Sequence, residues 1–382
     1  MNINKFMTPE IIFGKDALEQ TGESFKRLGA NKVLVVSDKG VVEAGWSEKA
    51  LANIRQAGLD YAEFYQLSTN PKDEEVRNGA AVYINEYCDA VFGLGGGSPM
   101  DVAKAVAIIV TNQGNIRDYE GVDQITRPLP PLIMASTTAG SGSEVSQFSV
   151  VVDTEKQKKM TIVSKSLVPD IAIVDPQLLM TKDPLLTAAT GMDVLTHSIE
   201  AYVSIAATPL TDVQAKNAIK LVSEYLRPSV ASASNEEAKR AMAMASLQAG
   251  LAFSNAILGA IHAMSHAIGG KYALAHGEIN AVLLPHVMEY NLIANPKRFR
   301  TISELMGTST SGLTDMEAAN TSVQMVRKLL KDIGAPQQFS DLGFQEQDFV
   351  VMAEVALEDA CMITNPRDLS VEEVVALFKQ AL

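Results

Sequence analysis

All five histidines of this 382-residue chain lie between His197 and His286, and three of them fall in one stretch, IHAMSHAIGGKYALAHGE, running 261–278. His262 and His266 are four apart in an apolar run, so on a helix they project from one face with Cα atoms about 6 Å apart. Gly269 and Gly270 then allow a turn that brings His276 back toward them. Upstream, in GMDVLTHSIEAYV, Asp193 and His197 form a second pair four apart. One carboxylate and several imidazoles on two helices and a loop suit a divalent first-row metal with an open coordination position. A single histidine among apolar residues is ordinarily a hydrogen-bonded core or surface group. Clustering is what favours a metal or catalytic centre here.

A different chemistry is written in the first half. Residues 95–101, GGGSPMD, sit at a strand-to-helix junction. Glycines let a backbone approach a phosphate without side-chain clash, Pro99 suits a first helical turn, and the helix N-terminus offers free N–H groups to a pyrophosphate. The same glycines also suit a plain tight turn, and the ordinary G-x-G-x-x-G fingerprint is absent. A second polar loop, STTAGSGSE at 136–144, either caps a helix or hydrogen-bonds a cofactor. Asp38, at the end of KVLVVSD, either accepts from an adenosine ribose 2′-OH and repels a 2′-phosphate, or caps a turn. Two such loops after two strands of one sheet favour a nucleotide site.

The elements that must position these residues divide the chain in two. Strand-like runs at 32–38, 61–67, 90–94, 131–137 and 171–174 alternate with helical stretches, which predicts a mostly parallel, doubly wound sheet. From Asp183 onward the pattern is helical, as at 321–333, where Val323, Val326, Leu330 and Ile333 share a face and Gly334-Ala335-Pro336 stops the helix. The expectation is an α/β domain over 1–182 and an all-helical domain over 183–382, packed directly together with a cleft between them. A net charge of −13 argues against a nucleic-acid partner. Two distant cysteines form no disulfide framework, the N-terminus lacks a signal-peptide core, and no apolar run reaches membrane-spanning length. The expected setting is the cytoplasm. Cys361 reads as a core residue and His286 as structural.

With these residues collected, the chain resembles the iron-containing (group III) alcohol dehydrogenases over essentially its whole length. The resemblance is carried by GGGSPMDVAKA (95–105), STTAGSGSEVS (136–146), TAATGMDVLTHSIEAYVS (187–204), IHAMSHAIGGKYALAHGEINAVLLPH (261–286) and EDACMITNPR (358–367). It implies a Rossmann-like dinucleotide-binding domain followed by an all-α domain, in the architecture shared with dehydroquinate synthase.

Residue by residue, the resemblance implies metal ligation by Asp193, His197, His262 and His276. A full Asp plus three His favours Fe²⁺, with Zn²⁺ as a strong competitor. His266 matches a histidine near the substrate and nicotinamide, either passing a proton, or packing behind the ligands or touching the metal weakly. Gly96, Gly97 and Ser98 would contact the NAD pyrophosphate with Asp101 alongside. Thr137, Thr138 and Ser146 would line the nucleotide channel, Lys159 would reach cofactor hydroxyls, and Asn70 would lie near the adenosine. Asp38 matches a position whose carboxylate favours NAD over NADP. Leu178 is a candidate for adenine packing, with an ordinary core leucine as the alternative. The implied activity is reversible hydride transfer between a primary alcohol or diol and NAD in a homo-oligomer, with the metal acting as a Lewis acid. The rivals are a metal- and NAD-dependent lyase of the dehydroquinate synthase type and a non-catalytic nucleotide and metal sensor.

Overall fold

The computed structural model describes residues 5–156, 158–272, 274–342 and 346–382. They form two compact units, one over Met7–Thr181 and the other over Lys182–Leu382 joined by Lys5 and Phe6.

The first unit begins with β1 (Glu10–Phe13), α1 (Thr21–Arg27), β2 (Lys32–Val36), α2 (Lys39–Glu43), α3 (Trp46–Gln56), β3 (Asp60–Phe64) and α4 (Asp73–Asn85). It continues with β4 (Ala90–Gly95), α5 (Gly97–Asn112), β5 (Gly121–Val122), β6 (Leu132–Ser136), β7 (Phe148–Asp153), β8 (Lys158–Val163) and β9 (Ile171–Val174). Six strands pair in the order β1-β9-β6-β4-β2-β3, every pair parallel. The continuous apolar run of β2 follows from burial on both faces: Leu34 and Val36 pack with α4 and α5 residues such as Val76 and Val106, whereas Val33 and Val35 pack with Phe25 and Ile54. The chain leaves β2 for β3 on one side and then crosses to β4 on the other. The carboxyl ends of β2 and β4 therefore flank a topological switch point, where open α/β sheets bind ligands.

Two parts of this unit differ from the sequence expectation. β1 adds an edge strand to the sheet, paired to β9 from Glu10 to Phe13. β7 and β8 form an antiparallel hairpin that, with β5, makes a second, three-stranded sheet. Its strands mix Lys, Ser and Thr with apolar residues, so no continuous apolar run announces them.

The second unit contains α6 (Pro184–Val203), α7 (Pro209–Ala231), α8 (Glu236–Ala256), α9 (Ala260–Lys271), α10 (His276–Asn291), α11 (Pro296–Leu305), α12 (Asp315–Ile333), α13 (Phe349–Glu358) and α14 (Val371–Gln380). Among its described residues every regular element is helical. Asp183 caps α6 by accepting from the Leu186 N–H, with Pro184 in the first turn. Gly334 ends α12 in the left-handed conformation, φ 68°. Gly269 and Gly270 do not form the expected turn: α9 runs through both to Lys271. Glycine lowers helix propensity by only about 1 kcal/mol, which the packing of a helix this buried overrides. His276 accordingly lies at the first position of α10 rather than in a loop.

Among the described residues, no single helix is long and apolar enough to cross a membrane.

Candidate metal centre and nucleotide loops

Within the helical unit, α6 is buried on all sides beyond its first turn. Asp193 and His197 lie one turn apart on it, with His262 and His266 on α9 and His276 opening α10. Asp193 Oδ1 is 3.8 Å from His197 Nε2, 3.6 Å from His262 Nε2 and 3.9 Å from His276 Nε2. Burial by itself would raise the Asp193 carboxyl, but the three imidazoles outweigh it and hold it far below the usual carboxylate range. The donor atoms of Asp193, His262 and His276 all lie within 4.8 Å of one another. Three imidazole nitrogens grouped around one carboxylate oxygen form a donor set that fits Fe²⁺ or Zn²⁺.

Residues that sequence reasoning passed over hold the imidazoles in this array. Glu200, one turn past His197, accepts from His262 Nδ1 at 2.5 Å and from the Ile261 N–H at 2.7 Å. A carboxylate on Nδ1 fixes the tautomer that leaves Nε2 a lone pair. Burial lowers His262, but Glu200 and Asp193 more than compensate and raise it to about 9, so cation binding there displaces a proton. Ser265 Oγ lies 2.9 Å from His276 Nδ1. The His197 ring stacks between Phe253 and His262, with centroids 4.5 Å away in both cases.

Gly277 lets α10 touch α6. A Cβ added there would stand 2.3 Å from the Ala189 carbonyl oxygen, so only glycine allows the approach that delivers His276. Asn280, one turn further on, reaches the same centre.

The His266 ring stacks on that of His276, centroids 5.6 Å apart, and lies 6.1 Å from that of His262. His266 Nδ1 donates to Asp359 Oδ2 at 2.9 Å, and Asp359 Oδ1 accepts from the Cys361 N–H at 2.8 Å. Burial opposes ionisation of Asp359, but His266 outweighs it and sets the carboxyl at about 2. Cys361 is fully buried, which pushes its thiol well above the usual range, as expected of a core cysteine.

In the α/β unit the predicted nucleotide residues gather around the end of β4. Gly95 takes φ 157°, and the Thr137 N–H donates to its carbonyl at 2.8 Å. A Cβ added at Gly95 would stand 3.3 Å from Asp38 Oδ2, one at Gly96 3.4 Å from the Thr138 side chain, and one at Gly97 3.1 Å from Ser141 Cβ. Ser98 Oγ donates to the Thr69 carbonyl at 2.7 Å, and the neighbouring Asn70 carbonyl accepts from Ser68 Oγ at 2.8 Å. The two polar loops, the Asn70 stretch and Asp38 thus meet over the N-terminus of α5. Thr137 Oγ1 is buried there without a hydrogen-bond partner, and a helix N-terminus adjoins it, features that fit a phosphate-bearing cofactor.

Asp38 also caps α2, its Oδ1 accepting from the Val41 N–H at 3.0 Å. Asp101 accepts from Ser143 Oγ at 2.8 Å. Burial lifts it to about 6 against the pull of Lys104 and, more weakly, Lys159. Lys159 lies on β8 and is half-buried.

Ser146 and Leu178 make contacts of other kinds. The Ser146 hydroxyl accepts from the buried Lys104 ammonium at 3.2 Å, and that ammonium also donates to the Ser146 and Phe148 carbonyls. Leu178 is completely buried in the core with Leu18, Phe25 and Ile173, which is the core-leucine alternative.

Comparison with known proteins covers both units. The iron-containing alcohol dehydrogenase model matches residues 8–176, and the C-terminal model of the Fe-containing alcohol dehydrogenase family matches residues 187–382. The 1,3-propanediol dehydrogenase of Klebsiella pneumoniae is 46% identical over 379 residues, 98% of each chain. The NAD-dependent methanol dehydrogenase of Bacillus methanolicus is 42% identical over 379 residues, covering 99% of this chain and 100% of that one. A crystal structure of 1,3-propanediol oxidoreductase superposes with a TM-score of 0.97 at 46% identity, covering both chains completely. The chain belongs to the iron-containing alcohol dehydrogenase family, oxidoreductases that act on CH–OH groups with NAD and iron.

Proposed function

We propose that the protein interconverts short primary alcohols or diols with their aldehydes, using a cation held by Asp193, His197, His262 and His276. The observation that carries this reading is the single carboxylate oxygen with three imidazole nitrogens 3.6–3.9 Å away. The substrate range is supported by the relatives that act on 1,3-propanediol and on methanol.

Bound iron supplies Lewis acidity, lowering the pKa of an alcohol and polarising a carbonyl. The protein's own groups do the rest. Glu200 and Ser265 hold the rings of His262 and His276 by their Nδ1 atoms, so that both Nε2 atoms present lone pairs. Asp359 holds His266 in the same manner, which leaves His266 Nε2 as the atom that takes up and returns the alcohol proton.

The α/β unit is the NAD-binding domain in this reading, and the helical unit the metal-binding domain. Gly96, Gly97 and Ser98 bind the pyrophosphate beside Asp101, and Thr137 and Thr138 donate to it from the second loop. Asp38 and Asn70 face the adenosine, Lys159 contributes a cation, and Ser146 orders the loop through Lys104. The net charge of −13 supports an enzyme without a nucleic-acid partner. We extend the proposal to a cytoplasmic homo-oligomer.

The test is NADH formation from a panel of short alcohols and diols, using protein stripped of metal and reloaded separately with Fe²⁺ and Zn²⁺. NADH should accumulate from NAD⁺ with alcohol as the sole other substrate of the reloaded enzyme, and cease on chelation. Turnover confined to long or secondary alcohols would contradict the proposed substrate class.

A further inference from the structure

Asn280 makes contacts that the four-ligand reading does not use. It is completely buried and sits one helical turn after His276, on the same face of α10. Its Nδ2 lies 2.8 Å from Asp193 Oδ1, 3.2 Å from His262 Nε2 and 3.2 Å from His276 Nε2. These are the atoms of three separate helices that would face the cation.

The orientation of the amide follows from its neighbours. A carboxylate oxygen such as Asp193 Oδ1 only accepts, so the end of the amide 2.8 Å from it is the NH₂ group. An NH₂ group suits such surroundings, whereas the reversed amide would set a carbonyl oxygen against a carboxylate oxygen. One hydrogen bonds Asp193 Oδ1, and the nitrogen stands 3.2 Å from the Nε2 atoms of both His262 and His276. The opposite end, Oδ1, is buried without a hydrogen-bond partner. A polar atom left so is tolerated where the other end of its group makes bonds to charged or strongly accepting atoms.

A carboxylate can rotate and offer either oxygen, and ligation needs one of them held. The N–H from Asn280 falls on Oδ1, the oxygen that lies within 3.6–3.9 Å of all three imidazoles. We propose that Asn280 is a positioning residue of the metal centre: its carboxamide N–H holds Asp193 Oδ1 toward the Nε2 atoms of His262 and His276, and so sets the affinity and coordination geometry of the cation. The inference rests on the ligand reading above.

The test uses Asn280→Leu, which keeps the branched shape and removes both polar ends, and Asn280→Ala, which adds no steric demand should the leucine variant not fold. Full-length protein is stripped of metal and titrated with Co²⁺, and the visible d–d spectrum and chelator competition are recorded. Outer partners of metal ligands typically contribute about 10–100-fold in affinity, and a loss of that size with an altered Co²⁺ spectrum is expected, at unchanged NAD⁺ affinity. Wild-type Co²⁺ affinity and spectrum in either folded variant would overturn the proposal. His262→Ala, run in parallel, separates the two claims. If it keeps Co²⁺ at wild-type affinity, the ligand reading itself fails. If it loses Co²⁺ while the Asn280 variants match wild type, only the role of Asn280 fails.

Discussion

Glu200 Oε2 lies 2.5 Å from His262 Nδ1, with both side chains sealed from solvent. The pair couples α6 to α9 and decides which imidazole nitrogen faces Asp193. Glu200→Gln keeps the shape but offers one acceptor oxygen for two N–H donors, Ile261 and His262. Metal affinity should fall by about 10–100-fold. Chelator competition measures it, and wild-type affinity would show that the carboxylate does not orient His262.

Gly277→Ala leaves all four proposed ligands in place and should still release the metal. The added Cβ would stand 2.3 Å from the Ala189 carbonyl oxygen, so α10 must withdraw from α6 and carry His276 away from Asp193. Metal per chain, measured by elemental analysis after exhaustive dialysis, should drop well below one. Full retention would mean that the helix contact is slack.

Asp38 has two tasks in the structure that substitution can separate. Asp38→Asn retains an oxygen for the Val41 N–H and removes the charge. The relative kcat/KM for NADP⁺ should rise while the thermal midpoint stays put. Asp38→Gly should raise it as well, at a cost of about a few tenths of a kcal/mol in capping. Unchanged cofactor preference in both variants would leave Asp38 as a helix cap alone.

His286 should govern part of the acid stability. Burial, reinforced by Arg327, depresses it from 6.5 to about 4. Below pH 6.5 the unfolded chain takes up a proton that the folded chain refuses. The contribution is therefore fully present above pH 6.5 and is lost as the pH falls toward 4. Denaturant unfolding between pH 7 and 4.5 should show a shallower loss for His286→Gln than for wild type, and parallel curves would refute the assignment.

The sequence announced what depends on local pattern. Val33–Val36 is apolar on both faces because helices cover both, so β2 reads as a buried parallel strand. Asp193/His197 and His262/His266 are helix-spaced pairs and read directly. What depends on remote partners was hidden. Glu200 and His262 are 62 residues apart, and His266 and Asp359 are 93 apart. No spacing rule joins such pairs. Gly277 looked like any glycine until Ala189 was found against it. Asn280 and Glu200 carried a readable signal in their one-turn offsets from His276 and His197. The β7–β8 hairpin escaped notice because Lys158, Lys159 and Thr161 interrupt its apolar residues.

The central claim is that one carboxylate and three imidazoles hold the working metal, and His276→Ala tests it most directly, since its ring is the least buried of the proposed ligands. Metal content and NAD-linked alcohol oxidation should be measured on the same preparation. The account predicts that both are lost together while the variant stays folded and still binds NAD⁺. Stoichiometric metal with undiminished turnover would contradict it.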